Sequence, residues 1–333
     1  MILHPPIIAL LLGSLLISFM LLHSSYYGIQ ILRRWDITSG SELQLLLERK
    51  TYLISTIVTY AFGFQLISLF LYVYTADDLC RLFVGAMCAA GTLFVNPYGY
   101  PTLLLKVANF IFAGTWLILN YTDNRAYDYP LIRRKYLLLL IVTPFILAET
   151  YLQARYFFEL RPNIITSCCG SLFSTEATNI AFGLTSLPSI PAKAAFYAAV
   201  SLTTLSGLYF YYRQRGAYLF SLLSGITFVI SVAALISFIS LYFYELPTHH
   251  CPFCILQREY GYVGYPLYIA LLGGAVTGLG VGILAPFRKV TSLSSQIPQI
   301  QRRLAVASVI FFAAYLMISL YPMLFSDFKL EGY

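Results

Sequence analysis

Charged residues are scarce in this sequence. Aspartate, glutamate, lysine and arginine together make up 11% of the 333 residues, whereas hydrophobic residues make up 59%. A soluble domain carries about 25% charged residues, so this chain lacks the polar side chains that a water-facing surface needs. The shortage excludes an ordinary soluble enzyme or binding module. It predicts an integral membrane protein of the all-α class, with the lipid bilayer as its first partner.

Acidic residues and cysteines are also few. Lysine and arginine number 21 against 14 aspartates and glutamates, which gives a net charge of +7. We do not interpret this excess as a nucleic-acid-binding surface, because basic residues in membrane proteins usually mark the cytoplasmic loops. Six cysteines are too few for a disulfide-dense scaffold. Their positions therefore carry more information than their number.

Long apolar runs dominate the rest of the chain. A helix needs about 20 apolar residues to cross the hydrocarbon core of a bilayer, and we count eight such segments. They are Ile7–Leu32, Tyr52–Tyr74, Pro101–Asn120, Tyr136–Gln153, Ala195–Tyr212, Ala217–Tyr244, Tyr262–Phe287 and Leu304–Phe325. A ninth run, Leu82–Val95, is shorter, and its length predicts a re-entrant or interfacial helix.

The basic residues predict how the spans are oriented. With the N-terminus outside, four loops face the cytoplasm and contain 14 of the 21 basic residues. Those residues are Arg33, Arg34, Arg49, Lys50, Arg125, Arg133, Arg134, Lys135, Arg213, Arg215, Arg288, Lys289, Arg302 and Arg303. The positive-inside rule therefore favours eight spans with both termini on the outer side.

All six cysteines then lie on the outer side. They fall in three outer loops, residues 75–100, 154–194 and 245–261, which would form a cysteine-bearing cap on a single membrane domain of residues 1–333. Disulfides persist in oxidising compartments such as the periplasm. This placement predicts thiol chemistry on the periplasmic side of a bacterial inner membrane.

A CxxC motif lies before the seventh predicted span. Residues 249–259 read HHCPFCILQRE, so Cys251 and Cys254 precede a helix expected to begin at Tyr262. The positive end of a helix stabilises a thiolate and lowers the pKa of the thiol, which makes it a better leaving group in disulfide exchange. The motif therefore predicts a redox-active pair, with a structural disulfide or inert thiols as the alternative.

The segment CPFCILQRE resembles the first cysteine motif of the DsbB family. In that family, Cys-x-Leu-Cys is followed by an aliphatic pair, then Gln or Glu, then Arg, and the proteins are quinone-linked thiol oxidants of the membrane. The resemblance implies that a quinone lies beside Arg258, with Gln257 as a second contact. It also implies that the motif opens a helix on the periplasmic side.

Cys80 and Cys88 form a second pair with a C-x7-C spacing. This spacing is similar to the outer-loop pair of vitamin K epoxide reductases, which also precedes a membrane CxxC in the chain. Both families have four-helix cores about half the length of this chain. The resemblance implies similar chemistry, while the additional spans and the additional cysteines Cys168 and Cys169 depart from both families.

Cys168 and Cys169 are adjacent, and neighbouring cysteines seldom bond to each other because the ring is strained. They are expected to contact two different partners, to bind a soft metal or to exchange with another disulfide, and the alternative is that they staple the loop. His249 and His250 precede the CxxC motif. Together with Cys251 and Cys254 they form a set of nitrogen and sulfur ligands suited to copper or zinc, although solvated loop histidines are the alternative.

These observations predict a quinone-linked membrane thiol–disulfide oxidoreductase. Cys251 and Cys254 would pass electrons to a quinone. Cys80 with Cys88, or Cys168 with Cys169, would exchange with a periplasmic or extracellular thiol protein. Two alternatives stay open: a membrane protein that handles a soft metal such as copper, and a structural subunit of a larger membrane complex whose disulfides are staples.

Intramembrane charge is scarce, which argues against a proton pump. Lys106, Glu149 and Lys193 are expected near the outer helix ends, where they can reach the interface or one another.

Overall fold

The fold is taken from a computed structural model, which describes residues 3–37, 39–161, 165–166, 188–328 and 330. All regular structure within these residues is helical, and they contain no strand. The α-helices are α1 (Pro5–Arg34), α2 (Glu42–Asp78), α3 (Ala89–Phe94), α4 (Gly99–Asp123), α5 (Ile132–Phe158), α6 (Ser189–Arg213), α7 (Ala217–Ala234), α8 (Ser240–Tyr244), α9 (Gly264–Leu284) and α10 (Gln296–Phe325). A π-helical turn, Leu235–Ile239, joins α7 to α8.

Seven helical segments of the described chain are long and apolar enough to cross a membrane. They are Pro5–Arg34, Glu42–Leu82, Gly99–Asp123, Ile132–Phe158, Ala217–Tyr244, Gly264–Lys289 and Gln296–Phe325. The prediction of an all-α polytopic membrane protein is confirmed. The eighth predicted span, Ala195–Tyr212, lies inside helix α6, whose serine, threonine and tyrosine residues leave it less apolar than the other seven segments.

Helix α2 begins earlier than the apolar run alone predicts. We expected a span over Tyr52–Tyr74 with Arg49 and Lys50 in a loop, but both basic residues lie inside the helix. The preceding residues are leucine, glutamate and glutamine, which are strong helix formers. The Ser41 hydroxyl accepts the backbone N–H of Gln44 at 3.3 Å and so satisfies one unpaired donor of the first turn.

The short apolar run Leu82–Val95 is too broken to span, as predicted, but it is not one interfacial or re-entrant helix. It contains the end of a 3₁₀ turn, an extended stretch and the six-residue α3. Gly85 has a φ of +90°, and a Cβ there would lie 2.0 Å from the Thr166 carbonyl oxygen. Only glycine adopts this backbone conformation at such a close approach, and the break stops a longer helix.

Contacts divide the chain into two compact units. Unit 1 comprises Met1–Thr75, Asn96–Arg161 and Phe287–Ile297, and unit 2 comprises Ala76–Val95, Pro162–Pro286 and Pro298–Tyr333. The single membrane domain stays a prediction.

In unit 1, helix α5 packs against α1 and α4. The buried aromatic residues Phe62, Trp116 and Tyr136 form part of its core.

Two buried ion pairs join α4 to α5 within unit 1. Lys106 Nζ lies 2.7 Å from Glu149 Oε1, and Lys135 Nζ lies 2.7 Å from Asp123 Oδ2, with all four side chains at most 1% exposed. Lys106 and Glu149 do reach one another, as expected, but inside the helix bundle. Lys135 was expected in a cytoplasmic loop and instead belongs to the buried first turn of α5, because Asp123 neutralises its charge there.

In unit 2, helix α7 packs against α6 and α9. A Cβ at Gly278 of α9 would lie 2.3 Å from the Ser224 Oγ of α7, so the two helices approach more closely than a larger residue would allow. The small residues of the segment GGAVTGLGVG in α9 thus serve close helix packing. The apolar core of this unit surrounds the CxxC motif with side chains that include Phe196, Phe238 and Tyr315.

Candidate functional site

The CxxC motif lies in the loop between α8 and α9. Cys251 is 0% exposed and Cys254 is 5% exposed. Cys254 begins a 3₁₀ turn that ends at Leu256, and α9 begins only at Gly264. The spanning helix begins two residues after the expected start at Tyr262, and the motif lies in the loop before it. The extended backbone of Gln257 and the positive φ of Gly261 and Tyr262 separate the motif from the helix.

Cys88 completes a cluster of three thiols. It precedes the first residue of α3 and is fully buried, and its Sγ lies 3.5 Å from the Sγ of Cys251. The Sγ atoms of Cys88, Cys251 and Cys254 all lie within 4.8 Å of one another. We call these three residues the thiol centre. A disulfide bond measures about 2.05 Å, so Cys88 and Cys251 touch as separate thiols.

Cys80 is buried in the 3₁₀ turn Leu79–Leu82 that follows α2, and it is not part of the thiol centre. The structure thus brings one member of the C-x7-C pair, Cys88, to the CxxC motif. Spacing alone gave no reason to choose between the two.

Asp77 links the two segments that supply the thiol centre. Its Oδ1 accepts the backbone N–H of Ala89, the residue after Cys88, at 3.1 Å. The same oxygen accepts a hydrogen bond from Gln257 Nε2 at 3.1 Å, and that Nε2 also donates to the Met87 carbonyl at 2.8 Å. Sequence reasoning missed Asp77. The available signal was a carboxylate at the end of a span in a chain where charge is rare.

Two tyrosines hold the backbone of the CxxC loop. The Tyr244 hydroxyl donates to the Cys251 carbonyl at 2.5 Å and accepts the Ile255 N–H at 3.0 Å. The Tyr268 hydroxyl donates to the Pro252 carbonyl. The phenols of Tyr244 and Tyr268 act on the loop because the apolar core leaves its backbone groups no water to bind.

The adjacent histidines have different partners. His249 Nε2 lies 3.4 Å from Cys254 Sγ, and the His249 ring meets the Tyr244 ring edge to face at 4.4 Å. His250 Nδ1 donates to the Ile236 carbonyl at 2.9 Å. The predicted ligand set of both histidines with Cys251 and Cys254 is therefore not brought together. Among the described residues, the potential metal ligands that lie close to one another here are Cys88, Cys251 and Cys254.

Arg258 and Gln257 lie on the outer part of the loop. Arg258 is exposed and begins the 3₁₀ turn Arg258–Tyr260. It therefore does not lie one α-helical turn after Cys254. Gln257 uses Nε2 to bind Asp77 and Met87, which leaves its Oε1 for any ligand. The contact of both residues with a quinone stays a prediction.

Tyr260 stands beside the thiol centre as a protonated phenol. Its ring lies 5.0 Å from that of Tyr244. Partial burial raises the pKa of Tyr260, and the Cys254 thiol and the Glu259 carboxylate raise it further. The phenol therefore keeps its proton above the usual pKa of about 10, and it offers a hydrogen-bond donor at the edge of the loop.

Cys168 and Cys169 lie outside the described residues. The chain shortly before them is described at Thr166, which contacts the loop between Cys80 and α3. The Thr166 N–H donates to the Val84 carbonyl at 3.0 Å, and its hydroxyl donates to the Gly91 carbonyl at 3.0 Å. Thr166 is thus attached to the segment that carries Cys88.

Comparison of the chain with protein-family models, with curated proteins and with solved structures finds no match. The functional inference therefore stands on the residues and distances of the thiol centre.

Proposed function

We propose that the protein is a membrane thiol–disulfide oxidoreductase in which Cys251 and Cys254 are the reactive pair and Cys88 is the relay. The observation that carries this proposal is the 3.5 Å contact between Cys88 Sγ and Cys251 Sγ. Residues 163 positions apart are held in contact, and disulfide exchange requires a thiolate that can reach a disulfide sulfur. Buried tyrosine and Asp77 hydrogen bonds support the proposal because they keep both segments in place.

The exchange begins with a disulfide between Cys251 and Cys254. The Cys88 thiolate attacks the Sγ of Cys251, so that the Cys88–Cys251 bond forms as the Cys251–Cys254 bond breaks. Cys254 leaves as a thiolate, and His249 Nε2, 3.4 Å away, is placed to donate a proton to it. A second thiol, from Cys80 or from Cys168 or Cys169, then attacks Cys88 and releases Cys251. Two electrons and two protons have moved to the CxxC pair.

The reduced CxxC pair needs a two-electron acceptor, and we propose a quinone, as the resemblance to the DsbB family implies. A quinone supplies oxidising power by taking two electrons and two protons. Arg258 and the Oε1 of Gln257 are the polar groups of this loop proposed to orient it. The thiol that is finally oxidised belongs to a periplasmic or extracellular protein.

We also propose that the thiol centre faces the periplasm across a bacterial inner membrane, with both termini on the outer side. The asymmetric distribution of lysine and arginine supports this orientation.

The test is to trap the relay bond. In a Cys254→Ser variant, mild oxidation should produce a Cys88–Cys251 disulfide that peptide mapping detects. In the matched Cys251→Ser variant the Cys88–Cys251 bond cannot form. Cys254 is then the only cysteine of the motif with which Cys88 can form a disulfide. Absence of the Cys88–Cys251 bond in the first variant would overturn the relay.

Redox titration of the unmodified protein separates an exchanging pair from a staple. A structural disulfide has a potential below about −300 mV, and we expect the CxxC pair to titrate at a less negative value. Cysteines that do not cycle under any applied potential would favour the structural subunit instead.

A further inference from the structure

We infer that the reduced thiol centre, together with His249, is a Zn²⁺ site, and that bound Zn²⁺ blocks disulfide exchange. The ligands are the Sγ atoms of Cys88, Cys251 and Cys254 and the Nε2 atom of His249. The block rests on the proposed function, whereas the binding of Zn²⁺ does not require it. Structural zinc sites have four ligands, which are cysteine thiolates and histidine nitrogens.

The spacing of the three sulfurs suits a single ion, and His249 Nε2 is close to one of them, Cys254 Sγ. Zn–S bonds of about 2.3 Å and Zn–N bonds of about 2.0–2.1 Å give tetrahedron edges of roughly 3.8 Å between sulfurs and roughly 3.6 Å between sulfur and nitrogen. The Cys88–Cys251 edge is 3.5 Å and the His249–Cys254 edge is 3.4 Å. All three sulfurs lie within 4.8 Å of one another. Binding of the ion would draw the three sulfurs together and would require the His249 side chain to turn from Cys254 toward the centre of the cluster.

The surroundings favour His249 over its neighbour as the fourth ligand. His250 Nδ1 already donates a hydrogen bond to the Ile236 carbonyl. His249 lies against Tyr244, whose hydroxyl also binds the Cys251 carbonyl and the Ile255 N–H. The same tyrosine therefore positions the histidine and the CxxC backbone. Its ring packs against the His249 ring, and its hydroxyl holds the backbone on either side of Pro252 and Phe253.

Charge favours Zn²⁺ over Cu⁺. Three thiolates and a neutral histidine around Zn²⁺ leave one net negative charge, whereas the same ligands around Cu⁺ leave two. The three cysteines are at most 5% exposed, and an uncompensated charge in such a place is costly. Among the two soft metals that the sequence allowed, the buried site fits zinc better.

Zinc binding and exchange compete for the same sulfurs. Bound Zn²⁺ holds Cys88, Cys251 and Cys254 as thiolates and covers their lone pairs, so none can attack or be attacked. Oxidation of the CxxC pair by a quinone removes two electrons from Cys251 and Cys254, forms their disulfide and, with two protons from water, yields a quinol. The disulfide cannot form while Zn²⁺ holds both sulfurs, so the ion must leave before oxidation. Bound zinc would thus keep the centre reduced.

The binding test uses the purified full-length protein in detergent, fully reduced, with Zn²⁺ and with Co²⁺ as a spectroscopic probe. We expect one ion per chain, and Co²⁺ should show thiolate charge-transfer and tetrahedral d–d absorption. His249→Ala should weaken Zn²⁺ binding by at least about tenfold, since loss of even an outer-shell group costs that much. The matched His250→Ala variant should bind like the unmodified protein.

A second pair of variants checks the sulfur ligands. Cys88→Ser should lose much of the thiolate-to-cobalt absorption, whereas Cys80→Ser should retain it. Helical circular dichroism shows whether His249→Ala and Cys88→Ser fold. If either does not, His249→Gln or Cys88→Ala takes its place in the same measurement. An equal loss of Zn²⁺ affinity in His249→Ala and His250→Ala would overturn the site. Full thiolate-to-cobalt absorption in Cys88→Ser would also overturn it.

The block is measured as the rate of CxxC oxidation by a soluble quinone, with Zn²⁺ and after chelation. We expect stoichiometric Zn²⁺ to slow oxidation at least about tenfold and a chelator to restore it. Oxidation at the same rate in zinc-loaded protein would overturn the block. Oxidation without any zinc binding would overturn this inference and leave the proposed function intact. Zinc binding with no oxidation after chelation would contradict the proposed function and leave the metal site intact.

Discussion

At the scale of single residues, Asp77 connects the segment that carries Cys88 to the CxxC loop. One carboxylate oxygen binds the N–H next to Cys88 and the side chain of Gln257, three residues after Cys254. These hydrogen bonds join residues next to the cysteines in both segments. Asp77 is therefore a positioning residue for the proposed relay.

Removal of this carboxylate should weaken the relay without removing the reactive pair. In the Cys254→Ser background, Asp77→Ala should slow formation of the Cys88–Cys251 bond about tenfold, because two hydrogen bonds that hold the segments together are lost. Each such bond contributes about 0.5–1.5 kcal/mol, and more when one group is charged. Peptide mapping of samples taken during mild oxidation measures the rate.

The matched control for this change is Glu259→Gln, which alters an exposed carboxylate of the same loop. The control should form the relay bond at the unmodified rate. In a protein with all its cysteines, Asp77→Ala should still form the Cys251–Cys254 disulfide. Unchanged kinetics in Asp77→Ala would show that packing alone positions Cys88.

At the scale of elements, the approach of α9 to α7 depends on one glycine. A Cβ at Gly278 would lie 2.3 Å from Ser224 Oγ and 2.4 Å from Ser224 Cβ. Gly278→Ala should destabilise unit 2 by about 1–3 kcal/mol, because the helices must separate or a side chain must leave its rotamer. The apparent Tm in detergent measures this loss.

Gly225 of α7 provides the control within the same helix pair. A Cβ there would meet only Leu279 Cδ2, at the ordinary contact distance of 3.6 Å. Gly225→Ala should therefore leave the apparent Tm unchanged or raise it, since alanine favours helix over glycine. Equal losses in the two variants would contradict a special requirement at Gly278.

The polar contact between α4 and α5 yields a second prediction at this scale. Glu149 accepts hydrogen bonds from Lys106, from Gln65 at 2.5 Å and from Asn109 at 2.6 Å. Lys106→Met should destabilise unit 1 by about 3–5 kcal/mol, because it leaves a buried carboxylate without its cation. Thermal unfolding in detergent is again the measurement.

The double variant Lys106→Met, Glu149→Gln decides whether charge is the cause. It removes both charges together, so it should recover much of the stability lost in Lys106→Met. If the double variant is less stable than either single variant, then packing of the side chains, and not an uncompensated charge, explains the loss.

At the scale of the whole molecule, the orientation in the membrane can be tested at exposed loop positions. The native cysteines that the structure describes are buried, so they are poor targets for a thiol reagent. In a chain with every native cysteine replaced by serine, Glu259→Cys should react with a membrane-impermeant maleimide in intact cells. Arg215→Cys should react only after the membrane is permeabilised, because it belongs to a predicted cytoplasmic loop.

Both positions are exposed, so a difference between them reports the side of the membrane and not burial. Labelling of Arg215→Cys in intact cells, with Glu259→Cys protected, would reverse the proposed orientation and place the thiol centre on the cytoplasmic side.

The sequence by itself determined the class of the molecule and the position of its helices. Scarce charge and long apolar runs require a membrane environment and a helical backbone, since each helix satisfies its own N–H and C=O groups. These are local properties, and seven of the eight predicted spans coincide with helices that meet the length and hydropathy expected of a span. The CxxC motif and the paired charges of α4 and α5 were also visible as residue types.

The tertiary structure alone decided how the reactive groups combine. It placed Cys88 at the CxxC motif and left Cys80 outside the thiol centre, and it directed His249 to Cys254 while His250 binds a backbone carbonyl. Local patterns cannot encode a bond such as Gln257 to Asp77, whose residues are 180 positions apart. The helix expected beside the motif begins at Gly264 because positive φ angles at Gly261 and Tyr262 redirect the loop. Such turns depend on packing against residues that are distant in the sequence, and the pattern of apolar residues does not predict that packing.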